Sequence, residues 1–225
     1  MQQQKKTTMN HSNSTNGTLS KVEGRYNYCD AMQWLEQRGK QMFGQHFNII
    51  NEDHELITKL ISYFLKDEIM INHFGLNPNK GILLTGPIGA GKSTLISLMR
   101  FYEPANVRFS IKACRDVSFE FIQQGYETIH KYSRNSFRNH EPQTWCFDDL
   151  GTENNLKYFG NECNVMAEIL LSRYDLFISR KLITHLTTNL SASEIEEQYG
   201  NRVRSRLREM MNLISFEKTT KDKRQ

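Results

Sequence analysis

Hydrophobic and polar positions follow two kinds of spacing along this chain, one typical of helices and one typical of strands. The places where one spacing gives way to the other predict the order of its elements. Apolar residues at helical spacing predict helices over 26–43, 51–65, 116–132 and 161–179, and a further helix after Ser191 or Ser193. Short apolar or alternating runs predict strands at 81–85, 107–111, 145–147, 182–188 and 212–216. Strands and helices alternate through most of the chain, and this order is typical of an α/β protein with a parallel sheet.

The two ends of the chain differ from its middle. Residues 1–24 carry almost no apolar side chains, so burial cannot offset the entropy of ordering them, and we expect a disordered polar tail. Residues 25–50 follow as a helix and linker, 51–217 as the main α/β domain, and 218–225 as a basic tail. Within the main domain, the helix over 116–132 is expected to bury one apolar side, formed by Phe119, Ile122, Tyr126 and Ile129.

A glycine-rich motif joins the strand at 81–85 to the helix that follows it. Gly86-Pro87-Ile88-Gly89-Ala90-Gly91-Lys92-Ser93 matches G-x-x-x-x-G-K-[ST] at every fixed position, and Thr94 continues the helix. Glycines let backbone N–H groups turn toward phosphate oxygens, and the helix adds the positive end of its dipole. Lys92 is expected to neutralise the β- and γ-phosphates, and Ser93 to bind Mg²⁺. In this strand–loop–helix context the motif predicts a nucleoside triphosphate site.

A second strand ends in two acidic residues. Asp148 and Asp149 follow the apolar run Trp145-Cys146-Phe147, and such a strand is the usual partner of a phosphate loop. Asp148 is expected to hold Mg²⁺ through water, and Asp149 to orient or deprotonate an attacking water molecule. Because Asp149 is shorter than a glutamate, Glu153 is the alternative catalytic carboxylate. Asn189 ends the next strand, where its amide is expected to lie beside the γ-phosphate.

Composition and charge narrow the class of protein. With 225 residues, 38% of them hydrophobic, and a net charge of +4, the chain suits one α/β domain with tails. No apolar run approaches the roughly 18 residues of a membrane span, and the N-terminus has no signal-peptide core, so we expect a cytoplasmic protein without membrane contact. Four cysteines and seven histidines are scattered without metal-ligand spacing.

The mild positive charge permits nucleic-acid binding without requiring it. One segment has the basic and aromatic composition of a single-strand contact, with Lys131, Arg134, Phe137 and Arg138. An ordinary solvated loop is the alternative interpretation of that segment.

The ordered set of motifs resembles the AAA+ ATPases of the DnaC/IstB type, which are bacterial helicase loaders and transposition helper proteins. The resemblance covers about 44–216 and is carried by the phosphate loop, Asp148 to Glu153, Thr187-Thr188-Asn189-Leu190, and Tyr199 to Leu207. It implies ATP as the nucleotide and a P-loop NTPase fold, with a parallel five-stranded sheet of order 5-1-4-3-2 flanked by helices. Because few residues follow the last predicted strand, we expect no C-terminal lid domain, and this matches the helicase-loader branch.

The same resemblance implies an active site shared between subunits. Asn189 is then the sensor-1 residue, and Arg206 the arginine finger for a neighbouring subunit, with Arg202 as second choice. The implied function is slow ATP hydrolysis that depends on self-assembly, acting on single-stranded DNA or on a replicative helicase, transposase or mobilisation protein. Two alternatives stay open, namely a small-molecule P-loop kinase and an ATP-gated adaptor that does not hydrolyse its nucleotide.

Overall fold

A five-stranded parallel sheet forms the centre of the protein, seen in a computed structural model that describes residues 21–22, 25–138, 141–153, 156–158 and 161–223. Numbered in chain order, its strands are β1 Gly81–Thr85, β2 Ser110–Ala113, β3 Trp145–Leu150, β4 Thr184–Thr188 and β5 Met211–Ser215. They lie in the order β5-β1-β4-β3-β2, and every neighbouring pair is parallel. The predicted fold class is confirmed.

Helices flank this sheet. In the described part of the chain they are α1 Tyr28–Phe43, α2 His54–Leu65, α3 Glu68–His73, α4 Lys92–Met99, α5 Cys114–Gln124, α6 Tyr126–Tyr132, α7 Val165–Arg180 and α8 Ala192–Met210. Two short 3₁₀ turns cover Asn51–Asp53 and Arg100–Tyr102. Short antiparallel strand pairs join Lys21–Val22 to Arg25–Tyr26, Phe137–Arg138 to Glu141–Pro142, and Leu156–Tyr158 to Asn161–Cys163.

The alternation of side chains along each strand divides the apolar residues between two cores. On one face of the sheet, Ile82, Leu84 and Ile214 belong to a core shared with α1, α2 and α4. On the other face, Leu83 and Phe147 belong to a core shared with α5 to α8. Helix α1 therefore packs as part of the main domain through buried residues of its own.

Several element boundaries differ from the predicted ones, and three of the differences have a visible physical cause. Strand β2 covers 110–113 rather than 107–111, and Val107 is 55% exposed because it lies in a turn before the strand. The helix predicted over 116–132 breaks at Gly125, whose φ of 60° ends α5 and begins α6. Helix α7 begins at Val165 rather than at 161, because the Asn164 side chain accepts a hydrogen bond from the Ala167 N–H and caps it.

The buried side of α5 and α6 also differs from the prediction. Phe119, Ile122 and Tyr126 are at least half exposed, and only Ile129 of the predicted four is buried. The break at Gly125 changes the helical phase only for Tyr126 and Ile129; Phe119 and Ile122 are exposed because packing buries another side of α5. The residues that α5 buries at helical spacing are Cys114, Val117, Ser118 and Phe121.

Among the residues that the structure describes, no helix has both the length and the apolar character needed to cross a membrane. The disorder predicted for residues 1–24 concerns positions that lie outside the described residues, except for Lys21–Val22, which pairs as a strand with Arg25–Tyr26.

Candidate nucleotide site

The phosphate loop lies between β1 and α4, at the carboxyl edge of the parallel sheet. Gly89 and Gly91 have φ values of 81° and 91°, a conformation that other residues rarely adopt. Gly86 is restricted by space as well, because a Cβ there would lie 2.7 Å from the Cβ of Phe216. Helix α4 starts at Lys92, directly after the last glycine, so the N–H groups of its first turn face the loop. This backbone has the geometry of an anion cradle.

Lys92 lies inside the loop with only 6% of its surface exposed. Its Nζ donates hydrogen bonds to the carbonyl oxygens of Gly86 and Pro87, at 2.9 and 3.0 Å. Both of these acceptors are neutral, and a phosphate oxygen accepts a stronger, charge-assisted bond. The amine is therefore held where it can exchange a loop carbonyl for a phosphate oxygen.

A threonine on the neighbouring strand ties the two predicted acids together. The hydroxyl of Thr187, on β4, donates to Oδ1 of Asp148 at 2.6 Å and accepts from the N–H of Asp149 at 2.9 Å. Thr187 is fully buried, and Asp149 has a left-handed φ of 56°. The threonine thus fixes the end of β3, where both carboxylates are presented.

The electrostatics of Asp148 suit a metal ion. Burial raises the pKa of its carboxyl group, and Asp149 raises it further, whereas hydrogen bonds from Thr187 and Ser93 and the charge of Lys92 lower it. Ser93 and Asp148 therefore meet side chain to side chain. A carboxylate beside a hydroxyl supplies the hard oxygen ligands that Mg²⁺ takes, with water completing its octahedral shell. These residues fit the predicted Mg²⁺.

A cavity of about 710 Å³ opens beside the loop. Its polar side combines loop residues 88–94 with Asp149, Thr152 and Asn189, so the structure brings two predicted catalytic residues to the predicted nucleotide site. A cavity of this size suits a small-molecule ligand. Apolar side chains that could contact a base also line it, namely Phe43, Phe47, Ile49, Ile57 and Phe216.

The C-terminal segment returns to this cavity. The Lys223 N–H donates to the Gly89 carbonyl oxygen at 3.0 Å, and the Lys223 ammonium pairs with the buried carboxylate of Asp53. The Asp222 carboxylate lies so close to Gly89 that any Cβ at that glycine would collide with it. The basic tail predicted from composition thus lies, through residue 223, against the phosphate loop.

Comparison with known proteins gives matches among solved structures. The crystal structure of DnaI is 19% identical and covers 76% of this chain and 88% of its own, with a TM-score of 0.52. A Streptococcus pyogenes serotype M3 protein assigned as a primosome component is 19% identical over 77% of this chain and 85% of its own, with a TM-score of 0.53. This chain has the DnaI fold.

The DnaI-like fold confirms the resemblance to DnaC/IstB-type ATPases at the level of the fold. The DnaC helicase loader also matches, at 22% identity over 68% of this chain and 89% of its own, with a TM-score of 0.47. No protein-family model and no curated protein sequence matches the chain.

Within the DnaI-like fold, Glu153 is held by other groups. It is buried, its Oε2 accepts from the Gly151 N–H at 3.0 Å, and its Oε1 accepts from the Tyr199 hydroxyl. Glu153 does not line the 710 Å³ cavity. Both carboxylate oxygens are engaged in joining the turn after β3 to α8, whereas Asp149 faces the cavity.

Arg206 also lies away from the cavity lining of its own chain. Its guanidinium stacks on the Tyr174 ring, 4.3 Å from the centroid, donates to the Tyr174 hydroxyl at 3.2 Å, and lies 3.8 Å from Glu209. Arg202 is exposed on the same helix, after the kink that Gly200 makes with a φ of 86°. An arginine that serves a neighbouring subunit has to be presented on an outer surface, as both are.

Sequence reasoning missed three contributors to the site in this DnaI-like fold. Thr187 was part of a matched motif but received no role, and Asp53 and Lys223 lie far from every motif. A buried hydroxyl on the strand before Asn189 is the signal that identifies Thr187. No local signal identifies the pairing of Asp53 with Lys223, because 170 residues separate the two.

Proposed function

We propose that this protein is an Mg²⁺-dependent ATPase that acts as a helicase-loader-type or transposition-helper-type protein. One observation supports it above the others. The loop residues Gly89–Thr94, the acid Asp149 and the amide Asn189 border a single cavity, and Asp148 is hydrogen-bonded to the Ser93 side chain. These are the groups that phosphoryl transfer to water requires, in one place.

Each residue has a chemical role in the proposed reaction. Lys92 releases the loop carbonyls and binds phosphate oxygens, while the first-turn N–H groups of α4 donate to the same phosphates. Ser93 and Asp148 would hold Mg²⁺, and bound Mg²⁺ neutralises charge that develops on the phosphates. Asp149 orients a water molecule for in-line attack and takes up its proton, and Asn189 donates a hydrogen bond beside the γ-phosphate.

We propose further that the ATPase is completed by assembly. Arg206 on an outer surface supports an arginine finger that acts on the next subunit, and such a finger is worth roughly 10³- to 10⁵-fold in rate. The Streptococcus pyogenes protein that matches is assigned as a primosome component. By that resemblance, we propose single-stranded DNA and a replicative helicase or a mobile-element protein as partners.

The decisive experiment measures ATP binding, phosphate release and particle mass for the wild type and two variants. Lys92→Ala is expected to abolish ATP binding, and unchanged turnover in it would refute the phosphate-loop assignment. Arg206→Ala is expected to bind ATP but not to hydrolyse it. Mixing the two variants should restore part of the activity, because each supplies the half-site that the other lacks. Co-assembly without any recovery would contradict the shared site.

The adaptor alternative is supported by one observation, namely the short carboxylate of Asp149 in place of a glutamate. An adaptor assembles on ATP without releasing phosphate, with or without single-stranded DNA. Stimulated phosphate release by the assembled form would exclude it. Transfer of the γ-phosphate to a small acceptor instead of water would identify the kinase alternative.

A further inference from the structure

Four arginines lie near one another away from the nucleotide cavity: Arg38 and Arg108 lie over the Phe101 ring, and Arg100 feels the charges of Arg108 and Arg138. Arg38 comes from α1, Arg100 begins the 3₁₀ turn after α4, Arg108 precedes β2, and Arg138 lies in a short strand pair. Helix α4 begins at the phosphate loop and spans about 12 Å before Arg100. The cluster therefore lies toward the amino edge of the sheet, opposite the proposed active site.

Neutral groups hold the guanidinium groups of Arg38 and Arg108 in place. The Cζ atoms of Arg38 and Arg108 lie 4.5 and 4.9 Å from the centroid of the Phe101 ring, within the range of cation–π attraction. Nε of Arg108 donates to the Glu103 carbonyl oxygen at 2.9 Å, and Nη1 of Arg38 donates to Gln41 at 3.1 Å. Nε of Arg38 is buried and has no hydrogen-bond partner in the described structure. These two arginines are thus held in place, while some of their N–H groups have no hydrogen-bond acceptor.

Opposite charge does not neutralise the cluster. No ion pair within 4.0 Å joins any of the four arginines to a carboxylate in the part of the chain that is described. Burial raises the pKa of the nearby Glu103 to about 7, so this carboxyl group is partly protonated at neutral pH. Burial, followed by repulsion from Arg108 and Arg138, lowers the pKa of Arg100. The arginines repel one another and would gain from a polyanion.

Two further charges border the cluster. Glu141 lies directly opposite Arg138 in the short strand pair, without forming an ion pair with it. Lys66, which is exposed, lowers the pKa of Glu103 through its charge and adds a fifth positive charge near the cluster. The balance of charge around Phe101 is therefore positive.

We propose that Arg38, Arg100, Arg108 and Arg138 form a binding surface for the phosphate backbone of a nucleic-acid strand. Phosphates repeat along such a strand, and guanidinium groups bind each of them with paired, charge-assisted hydrogen bonds. An acidic protein partner would need an apolar anchor at the centre of the contact. The central ring here is half-buried and already covered by two guanidinium groups.

This surface revises the single-strand segment predicted from sequence. Lys131 is paired with Glu120, which also binds Lys112, so its charge is largely neutralised. Arg138, by contrast, lies near enough for its charge to lower the pKa of Arg100. One residue of the predicted segment therefore belongs to the cluster, and three members come from elsewhere in the chain.

This inference rests on the proposed action on DNA. The test measures how tightly the full chain binds a fluorescein-labelled oligothymidylate in the presence of Mg²⁺ and ATP. The variant Arg100→Gln/Arg108→Gln removes two phosphate contacts, and Arg115→Gln/Lys181→Gln removes two exposed charges elsewhere. Each lost contact lowers the slope of log affinity against log salt by about 0.7. Between roughly 50 and 500 mM salt, the wild type should lose about 25-fold more affinity than the cluster variant.

Each outcome has a distinct meaning. A flattened salt dependence and weaker binding in the cluster variant alone, with wild-type melting temperature and ATP binding, support the surface. Equal binding by the cluster and control variants overturns it and leaves the proposed ATPase intact. Absence of oligonucleotide binding by the wild type overturns both the surface and the proposed DNA partner. If polyglutamate competes as well per charge as the oligonucleotide, the assignment to nucleic acid is wrong.

Discussion

Replacing Thr187 by valine tests how the acidic end of β3 is held for Mg²⁺. Valine has the shape of threonine, so the change removes the hydroxyl without leaving a cavity. It removes a charge-assisted bond to Asp148 and leaves the Asp149 N–H without an acceptor. Loss of a group that orients a metal ligand typically weakens metal binding by roughly 10- to 100-fold. We expect a loss of that size in the Mg²⁺ affinity of the ATP complex.

The neighbouring residue provides a matched control. Thr188 is also fully buried and also makes one donated and one accepted hydrogen bond, to the Leu150 carbonyl oxygen at 2.6 Å and from the Leu190 N–H at 3.1 Å. Both of its partners are neutral backbone groups. Thr187→Val and Thr188→Val should both lower the free energy of unfolding, by amounts on the order of 1–3 kcal/mol, because each leaves a buried backbone N–H without its acceptor. Only Thr187→Val should change the dependence on Mg²⁺.

The assay titrates Mg²⁺ into each variant with a fluorescent ATP analogue and records the analogue's affinity, together with thermal unfolding. Because the Thr187 hydroxyl lowers the pKa of Asp148, its removal raises that pKa further. The deficit in Mg²⁺ affinity should therefore grow as pH falls, since a protonated Asp148 cannot hold the metal ion. Equal Mg²⁺ dependence in the two valine variants would refute the assigned role of Thr187.

Three further predictions concern catalysis and stability. Asp149→Asn should bind ATP without hydrolysing it, while Glu153→Gln should mainly lower the melting temperature; loss of turnover in a stably folded Glu153→Gln would reverse the two roles. Burial lowers the pKa of His185 to about 3, below the ordinary 6.5, so the unfolded chain takes up a proton first as pH falls. From about pH 6.5 to pH 5 the wild type should lose about 2 kcal/mol of stability that His185→Asn does not lose, and parallel urea midpoints would refute this. Arg173→Met leaves four hydrogen-bond acceptors without their donor and should lower the free energy of unfolding in urea by roughly 3 kcal/mol or more. Arg173→Lys should lower it by less. Equal urea midpoints for the two variants would contradict this account.

The phosphate loop and the acids after β3 could be predicted because their signals are local. Fixed positions within eight residues specify the turn at Gly86–Ser93, and a strand signal immediately precedes Asp148 and Asp149. The sheet order followed from the family resemblance rather than from the residues themselves. The site assignments stay predictions until nucleotide binding and turnover are measured.

What could not be predicted depends on distant or competing contacts. Two helical stripes on α5 fit its sequence equally well, and packing selects the one that contains Cys114 and Ser118 over the one that contains Phe119. The arginine cluster and the contact between Lys223 and Asp53 join residues far apart in sequence. The spacing of apolar residues along the chain does not predict such contacts. The sequence places Arg173 in an amphipathic helix, where an arginine is expected to be exposed. It is instead fully buried, without a carboxylate partner among the described residues.

Strand β4 shows how a polar sequence can determine the alignment of a buried sheet. All five of its residues are buried, and four of them are polar, each with a different partner: Thr184, His185, Thr187 and Thr188. A purely apolar strand tolerates a slip of two residues, because the same kind of side chain still faces each core. In β4 such a slip would break four dissimilar hydrogen bonds at once. The strand that carries Asn189 to the cavity can therefore assemble in only one alignment, and the positions of the reacting groups are set when the sheet forms.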